Sequence, residues 1–221
     1  MLRKDKICIM QKTLGEYYMK RGIILILILL SFLSLNCQDQ RGLIIFGLAN
    51  ELKNENWKDA NIGFGLQAIV SEAFSETGKF INLEEKSEIK EQIKKITQQI
   101  WENKTSVNFQ EEGKKISPEI EFFAYGRVFY YGTPQTKASF GVFHSETTET
   151  IIKVEIVLQN RKTQKKVKAK GTGIAKTTAN SVVFTVREDV VVFDETTVGK
   201  ATKEAVSKAV MKIMKKYRKI K

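Results

Sequence analysis

The sequence predicts an α+β domain in which a mixed β-sheet is covered by about three helices, in a sandwich that approaches three layers. In the first half of the chain, short apolar runs alternate with segments whose apolar residues recur every three or four positions. The second half is mostly strand-like and ends in one long amphipathic segment. Strands that carry an apolar face need helices to cover it. We therefore expect this sandwich.

The first half alternates between strand and helix patterns. An apolar run at 43–48 predicts a buried strand, and 80–83 predicts a second one. From Gly65 onward one apolar stripe predicts a helix that ends at Gly78 in the C′ position. A second helix follows, and its stripe is formed by four isoleucines: Ile89, Ile93, Ile96 and Ile100. After a polar segment at 102–117, a further strand is predicted from about 120 to 131.

The second half contains a β-hairpin and a closing helix. Residues 150–158 and 166–175 alternate in strand fashion on either side of a polar turn, which predicts an antiparallel pair. The closing helix combines an apolar stripe that begins with small residues, among them Gly199, Ala201 and Ala205, with lysines and arginine near its end. Cations there complement the negative end of the helix dipole. We expect the small residues to let this helix approach the sheet closely.

An export signal is predicted upstream of this domain. Lys20 and Arg21 precede an uncharged apolar run at 22–35, which is too short to span a bilayer comfortably and ends at Cys37. Residues 33–37 resemble a lipobox, in which the cysteine is acylated and the chain is cut just before it. We expect residues 1–36 to be removed, although an uncleaved anchor helix is the alternative. The start is either Met1 or Met19.

Composition limits the classes of partner. The formal net charge is +12, and it stays strongly positive once residues 1–36 are removed. Attraction to acidic lipid headgroups or acidic polymers explains such a surface better than nucleic acid, but simple solvation of the lysines is favoured over either. Cys37 is the only cysteine of the segment 37–221, so an internal disulfide or a cysteine metal site is not expected there. The length of this segment fits a single domain.

The order of these elements resembles the CsgG family. The resemblance rests on residues 78–84 (GKFINLE) and on the closing helix, where 197–205 read TVGKATKEA. The turn at 158–165 keeps its Thr but lacks the Gly typical of that family. The resemblance implies a periplasmic domain of the outer membrane, anchored by lipid on Cys37 and assembled as a homo-oligomer ring that exports polypeptide. Other relatives imply a non-pore binding or accessory module for an envelope protein such as a peptidoglycan synthase.

Two segments occupy the positions of the pore hairpins that the resemblance implies. The first lies near 128–157 and the second near 181–193, with a turn at 187–189. Both are shorter than a spanning hairpin would suggest, because a transmembrane strand needs about 9 to 11 residues. They are therefore expected either to contribute to an oligomeric membrane barrel or to serve contacts in a ring and docking of cargo.

Nothing in the sequence indicates an enzyme. His144 is the only histidine, and no acid or second ligand stands at a spacing that forms a catalytic dyad or a metal site. Gly171 and Gly173 lie within a predicted strand, without the helix that a phosphate-binding loop requires. The acidic pairs 84–85 and 111–112 are interpreted as surface charge. We expect no catalytic residue, no metal and no cofactor.

Overall fold

The computed structural model describes residues 40–84, 86–102, 107–118, 120–140, 143–177, 185–187, 190–192 and 196–220. The segment Gln40–Lys221 forms one unit. Its strands are β1 Arg41–Asn50, β2 Phe80–Asn82, β3 Phe122–Gly132, β4 Gln135–Phe140, β5 Phe143–Asn160, β6 Lys166–Thr177, β7 Thr185–Arg187 and β8 Val190–Val192. Its α-helices are α1 Ala60–Ser75, α2 Ser87–Trp101, α3 Phe109–Ile116 and α4 Thr197–Lys216. Short 3-10 turns occur at Glu55–Trp57 and Tyr217–Lys219.

Six strands form one mixed sheet in the order β2-β1-β3-β5-β4, with β6 paired to β5. The pairs β1–β2 and β1–β3 are parallel, and the others are antiparallel. The first residues of the 18-residue strand β5 pair with β4, whereas its later residues pair with β3 and β6. This mixture of parallel and antiparallel pairing with separate helices confirms the predicted α+β class.

Two hydrophobic cores lie on opposite faces of the sheet. Successive residues of β1 point to opposite faces, so Leu43 and Ile45 enter one core while Ile44 and Phe46 enter the other. The first core is covered by α1 and α4, and the second is covered by α2 with α3 at its margin. The helices therefore lie on both faces, as the sandwich prediction requires.

A bulge in β1 is held by side chains from two helices. The register with β3 shifts between Ile45 and Leu48, and Gly47 adopts a positive φ of 90°. The amide of Gln67 donates to the Ile45 carbonyl at 2.6 Å, and the buried Thr97 hydroxyl donates to the Phe46 carbonyl at 3.2 Å. The helices thus satisfy two carbonyls at the point where the ladder is irregular.

The closing helix approaches β6 at two glycines. A Cβ on Gly171 would lie 1.8 Å from the Ala205 carbonyl oxygen, and one on Gly173 would lie 1.8 Å from the Ala201 carbonyl oxygen. No side chain fits between strand and helix at these positions. The expectation that small residues allow close approach is confirmed, and the two glycines are explained by packing.

Three local features differ from the sequence predictions. Helix α1 begins at Ala60, capped by the Asp59 side chain, and so starts five residues earlier than the stripe suggested. Gly78 does have a positive φ of 66°, but the C-cap is Glu76, so the glycine lies one position beyond C′. Helix α3 was missed, because its eight residues have too few apolar positions to show a stripe.

Candidate functional site: a projecting arm and a basic pole

A hairpin extends from one end of the sheet, and we call it the arm. It consists of β4 (Gln135–Phe140) and residues 143–148 of β5, which pair from Gln135 opposite Thr148 to Phe140 opposite Phe143. At its base, the Glu149 amide donates to the Pro134 carbonyl at 3.0 Å. The buried part of β5 extends as far as Ile152 and Thr150, which lie close to this base. The arm therefore begins where the helix-covered part of the sheet stops.

The edge of the sheet along β6 is covered by α4. The Glu204 carboxylate accepts from the Ile174 amide at 2.6 Å, and the Lys212 ammonium donates to the Lys170 carbonyl at 2.9 Å. The hydrogen bond from Lys208 is the main reason that the pKa of Glu204 is below its ordinary value, and the Ile174 amide adds to it. These two hydrogen bonds occupy backbone groups of β6 that an added strand would need, which makes this part of the edge a poorer template.

The edge along β4 is different. Among the described residues, β4 pairs only with β5, so its outer side has no backbone partner there. The remaining edge strand, β2, has only three residues. A two-stranded hairpin is marginally stable by itself in water. The outer edge of the six-residue strand β4 is therefore open to pairing with another strand within the described part of the sheet.

The second predicted hairpin segment contains the short antiparallel pair β7–β8, with Arg187 opposite Val190. Arg187 belongs to the strand, so the turn is shorter than the predicted 187–189. Strand β8 lies beside α1. This placement agrees with a tight hairpin held against the domain. The rest of the segment 181–193 lies outside the described residues.

The start of β1 and the arm lie at opposite ends of the sheet. Strand β1 runs parallel to β3, with Leu43 opposite Phe122 at one end and Asn50 opposite Val128 at the other. The chain then continues past Gly132 into the arm. The entire length of β3, 11 residues, thus separates Arg41 from the base of the arm, a distance of about 35 Å at roughly 3.3 Å per residue.

Cations collect at the end where β1 starts, and we call this end the basic pole. Backbone hydrogen bonds bring its segments together: the Arg41 amide donates to the Lys79 carbonyl at 3.0 Å, and the Arg161 amide donates to the Glu121 carbonyl at 2.8 Å. The Asn160 side chain binds the Ile220 carbonyl at 2.9 Å. The segments that meet here carry eight exposed cations: Lys79, Lys162, Lys165, Lys166, Lys215, Lys216, Arg218 and Lys219.

An amphipathic groove lies on the side of the basic pole, between α1 and the end of α4. Its volume is about 760 Å³, and Lys79, Lys215 and Arg218 contribute to its lining. Apolar side chains, Ala73, Val210, Met211 and Met214, form the rest of the wall with a few polar residues. Met211 is 55% exposed, which is high for a large apolar side chain. The groove therefore combines positive charge with accessible apolar surface.

The residues singled out from the sequence have different outcomes. Cys37 lies outside the described residues, so its acylation stays a prediction. The backbone of His144 pairs with Ser139 in the arm. Within the described part of the chain, no group of three potential ligands could hold a metal ion. The absence of enzymatic activity also stays a prediction. The basic pole was missed, because only the fold brings its separate segments together.

Among the residues that the structure describes, no helix is both long enough and apolar enough to cross a membrane. The predicted apolar run at 22–35 is not among those residues.

No family model matches the chain. No curated protein matches it either. Solved structures with similarity include the lipoprotein GNA1162 from Neisseria meningitidis, with 14% identity, coverage of 63% of this chain and 86% of that one, and a TM-score of 0.44. A PelC dodecamer from Paraburkholderia phytofirmans has 10% identity, coverage of 76% and 84%, and a TM-score of 0.39. The hypothetical protein CT253 from Chlamydia trachomatis has 11% identity, coverage of 79% of this chain and 95% of that one, and a TM-score of 0.42. Likeness at this level indicates no function for the present chain.

Proposed function

We propose that the chain is a lipid-anchored protein of the bacterial envelope that acts as a non-pore binding module. In this proposal, acylated Cys37 holds the domain at the periplasmic face of the outer membrane, and the arm binds an envelope protein or a second copy of the chain. The observation that carries the proposal is the placement of the arm at the end of the sheet opposite to the start of β1.

The length of the tether makes this placement informative. Cys37 precedes Arg41 by four residues, which span at most about 14 Å when fully extended. The base of the arm is about 35 Å from Arg41, along the 11 residues of β3. A membrane that holds the acyl group of Cys37 would therefore adjoin the basic pole. The arm would project away from that membrane.

The length of the arm also favours docking. Strand β4 has six residues, whereas a strand that spans a bilayer needs about 9 to 11. By register, one set of alternate positions in the arm has Lys137 opposite Glu146, so it lacks the apolar composition of a lipid-facing barrel surface. The other set pairs Thr136 with Thr147, Ala138 with Ser145 and Phe140 with Phe143, so apolar residues occupy only part of it.

The free edge of β4 suggests how a partner binds. An extended segment can add to an exposed edge through main-chain hydrogen bonds, with little demand on side chains. The partner strand could come from an envelope protein such as a peptidoglycan synthase, or from a neighbouring copy in a homo-oligomer ring. The resemblance described above implies both partners, and in this proposal both bind the same edge.

The export channel is the second candidate. The paired strands β4–β5 and β7–β8 fall within the two segments that the CsgG resemblance assigns to pore hairpins, and this coincidence favours it. A channel requires that the arms enter the membrane next to the anchor. The short tether and the opposite placement of the arm argue for the binding module instead.

Excision of the arm tests the proposal. Because the Pro134 carbonyl and the Glu149 amide are already hydrogen-bonded at 3.0 Å, an Asn-Gly turn can join Pro134 directly to Glu149. We expect the excised variant to stay folded and lipidated but to lose its partner or its self-association, measured by in-cell crosslinking and by the mass of the detergent-extracted particle. A matched control replaces residues 141–142, which join β4 to β5 in the sequence, with Asn-Gly and should keep the complex. An unchanged complex after excision would refute the proposal.

A further inference from the structure

We propose that the basic pole is a membrane-binding surface that rests on anionic phospholipid headgroups beside the acyl anchor. This inference rests on the proposed function for its orientation, because lipidation at Cys37 decides which end of the domain adjoins the membrane. The pole itself is assigned from the structure. The expected ligand is a bilayer surface that carries anionic lipid.

The first step is the reach of the tether. Arg41, the first residue of β1, donates its amide to the Lys79 carbonyl, so the tether enters the domain within the basic pole. The four residues from Cys37 span at most about 14 Å. Electrostatic attraction to a membrane extends over a Debye length of about 8 Å at physiological salt. The tether therefore keeps the cations of the pole near enough to the membrane for them to attract anionic headgroups.

The second step is the charge that the pole leaves available. Among the described residues, no ion pair is formed by the eight exposed cations of the pole. The nearby Glu121 carboxylate is already bound to Arg41 at 2.9 Å. Among the described residues that line the groove, Glu76 is the one carboxylate, whereas three residues are cations. The pole thus has an excess of positive charge that is not neutralised within the described domain.

The third step distinguishes a membrane from a soluble polyanion. The groove places the apolar side chains of Met211 and Met214 beside Lys79, Lys215 and Arg218. An acidic polymer or a nucleic acid would use the cations but would gain nothing from an exposed methionine. A phospholipid surface offers anionic headgroups and hydrocarbon a few ångströms apart, so it matches both halves of the groove.

The inference can be tested on the domain without its anchor. The core residues that the structure describes all lie between Leu43 and Ile220, and Gln40–Lys221 forms one compact unit, so we expect residues 38–221 to fold without the anchor. We would measure binding of this segment to vesicles of phosphatidylcholine, with or without about a third phosphatidylglycerol, by co-sedimentation. We expect binding only to the anionic vesicles and release as NaCl increases.

A matched pair of variants locates the surface. The pole variant carries Lys215→Gln and Arg218→Gln, and the control carries Lys53→Gln and Lys200→Gln toward the arm. Both variants lose two exposed cations that form no ion pair among the described residues, so the net charge is the same. Each cation near an anionic surface increases the binding constant about fivefold, so we expect the pole variant to bind at least about tenfold more weakly. The control should bind within about twofold of wild type, because its changed residues lie farther from the membrane than a Debye length.

Three results would overturn the inference. Equal loss in the two variants would show a simple effect of net charge. Equal binding to neutral and anionic vesicles, or to neither, would exclude recognition of anionic headgroups. Displacement by inorganic phosphate at constant ionic strength would indicate a site for a free anion. The segment has no acyl group and keeps its arm, so these outcomes are independent of arm excision, which tests the proposed function.

Discussion

Substitution of Gly171 by Ala tests the packing of α4 on β6. The new methyl carbon would lie 1.8 Å from the Ala205 carbonyl oxygen and 2.9 Å from the Ala209 amide nitrogen. Both contacts are with helix backbone, which cannot rotate away as a side chain does. Restoring ordinary contact at about 3.5 Å requires the helix to retreat by roughly 1.7 Å. That movement separates the apolar face of α4 from the sheet along several turns.

The expected cost is that of overpacking in a core, about 1 to 3 kcal/mol of unfolding free energy, near the upper end here. For a domain of this size, each kcal/mol lowers the melting temperature by about 2 to 4 °C, so we expect a decrease of roughly 6 to 12 °C. Urea unfolding followed by circular dichroism measures the free energy directly. Gly173→Ala should lower the free energy of unfolding less in the Gly171→Ala background than in wild type, because the helix has already moved away from β6.

Thr172→Ala is the matched control for this prediction. It changes the neighbouring residue on the opposite, partly exposed face of β6 and should cost well under 1 kcal/mol. If Gly171→Ala unfolds at the same urea concentration as wild type, then α4 does not approach β6 closely at Gly171.

Three further predictions concern other parts of the molecule. Because the folded-state pKa of Glu204 is lowered, mainly by Lys208, its stabilising effect exists above the ordinary Glu pKa of about 4.3 and is lost as the pH falls through the lowered value. Wild type should therefore exceed Glu204→Gln in urea stability at neutral pH, with the difference vanishing in acid; a constant difference would contradict this. Cys37→Ser should abolish incorporation of radiolabelled fatty acid, and unchanged labelling would disprove the lipoprotein prediction. Purified lipidated protein should give no conductance in planar bilayers, whereas conductance that is lost in Phe140→Lys would instead support a membrane barrel, where a lysine costs about 2 to 4 kcal/mol.

Periodicity in the sequence was sufficient for most of the fold. The isoleucine stripe of α2 and the alternation in β5 and β6 were visible because each buries one face against a large core. Helix α3 was not visible, because only Phe109 and Ile116 at its ends are apolar and its stability comes from tertiary contacts. One of these is the stacking of Phe109 on Tyr125 at 4.1 Å between ring centroids.

The two functional features were predictable to different degrees. The hairpin segments could be located, but their direction could not, because it depends on which end of β3 the parallel partner β1 enters. The basic pole could not be located, since Lys79, Lys162 and Arg218 lie far apart in the sequence. Charge in separate segments becomes a surface only through strand register and helix direction. Composition alone indicated that a basic surface exists, but it did not place it.

The orientation of the arm relative to the anchoring membrane is the central claim, and one fluorescence measurement tests it. Lipidated protein on vesicles would carry a single fluorophore, either in the arm at Ser139→Cys or at the pole at Lys162→Cys, with headgroup-labelled quencher lipid in the bilayer. We expect strong quenching of the probe at position 162 and none at 139, because the arm lies about 35 Å or more beyond the pole. Strong quenching at position 139 would place the arm in the membrane and contradict the claim.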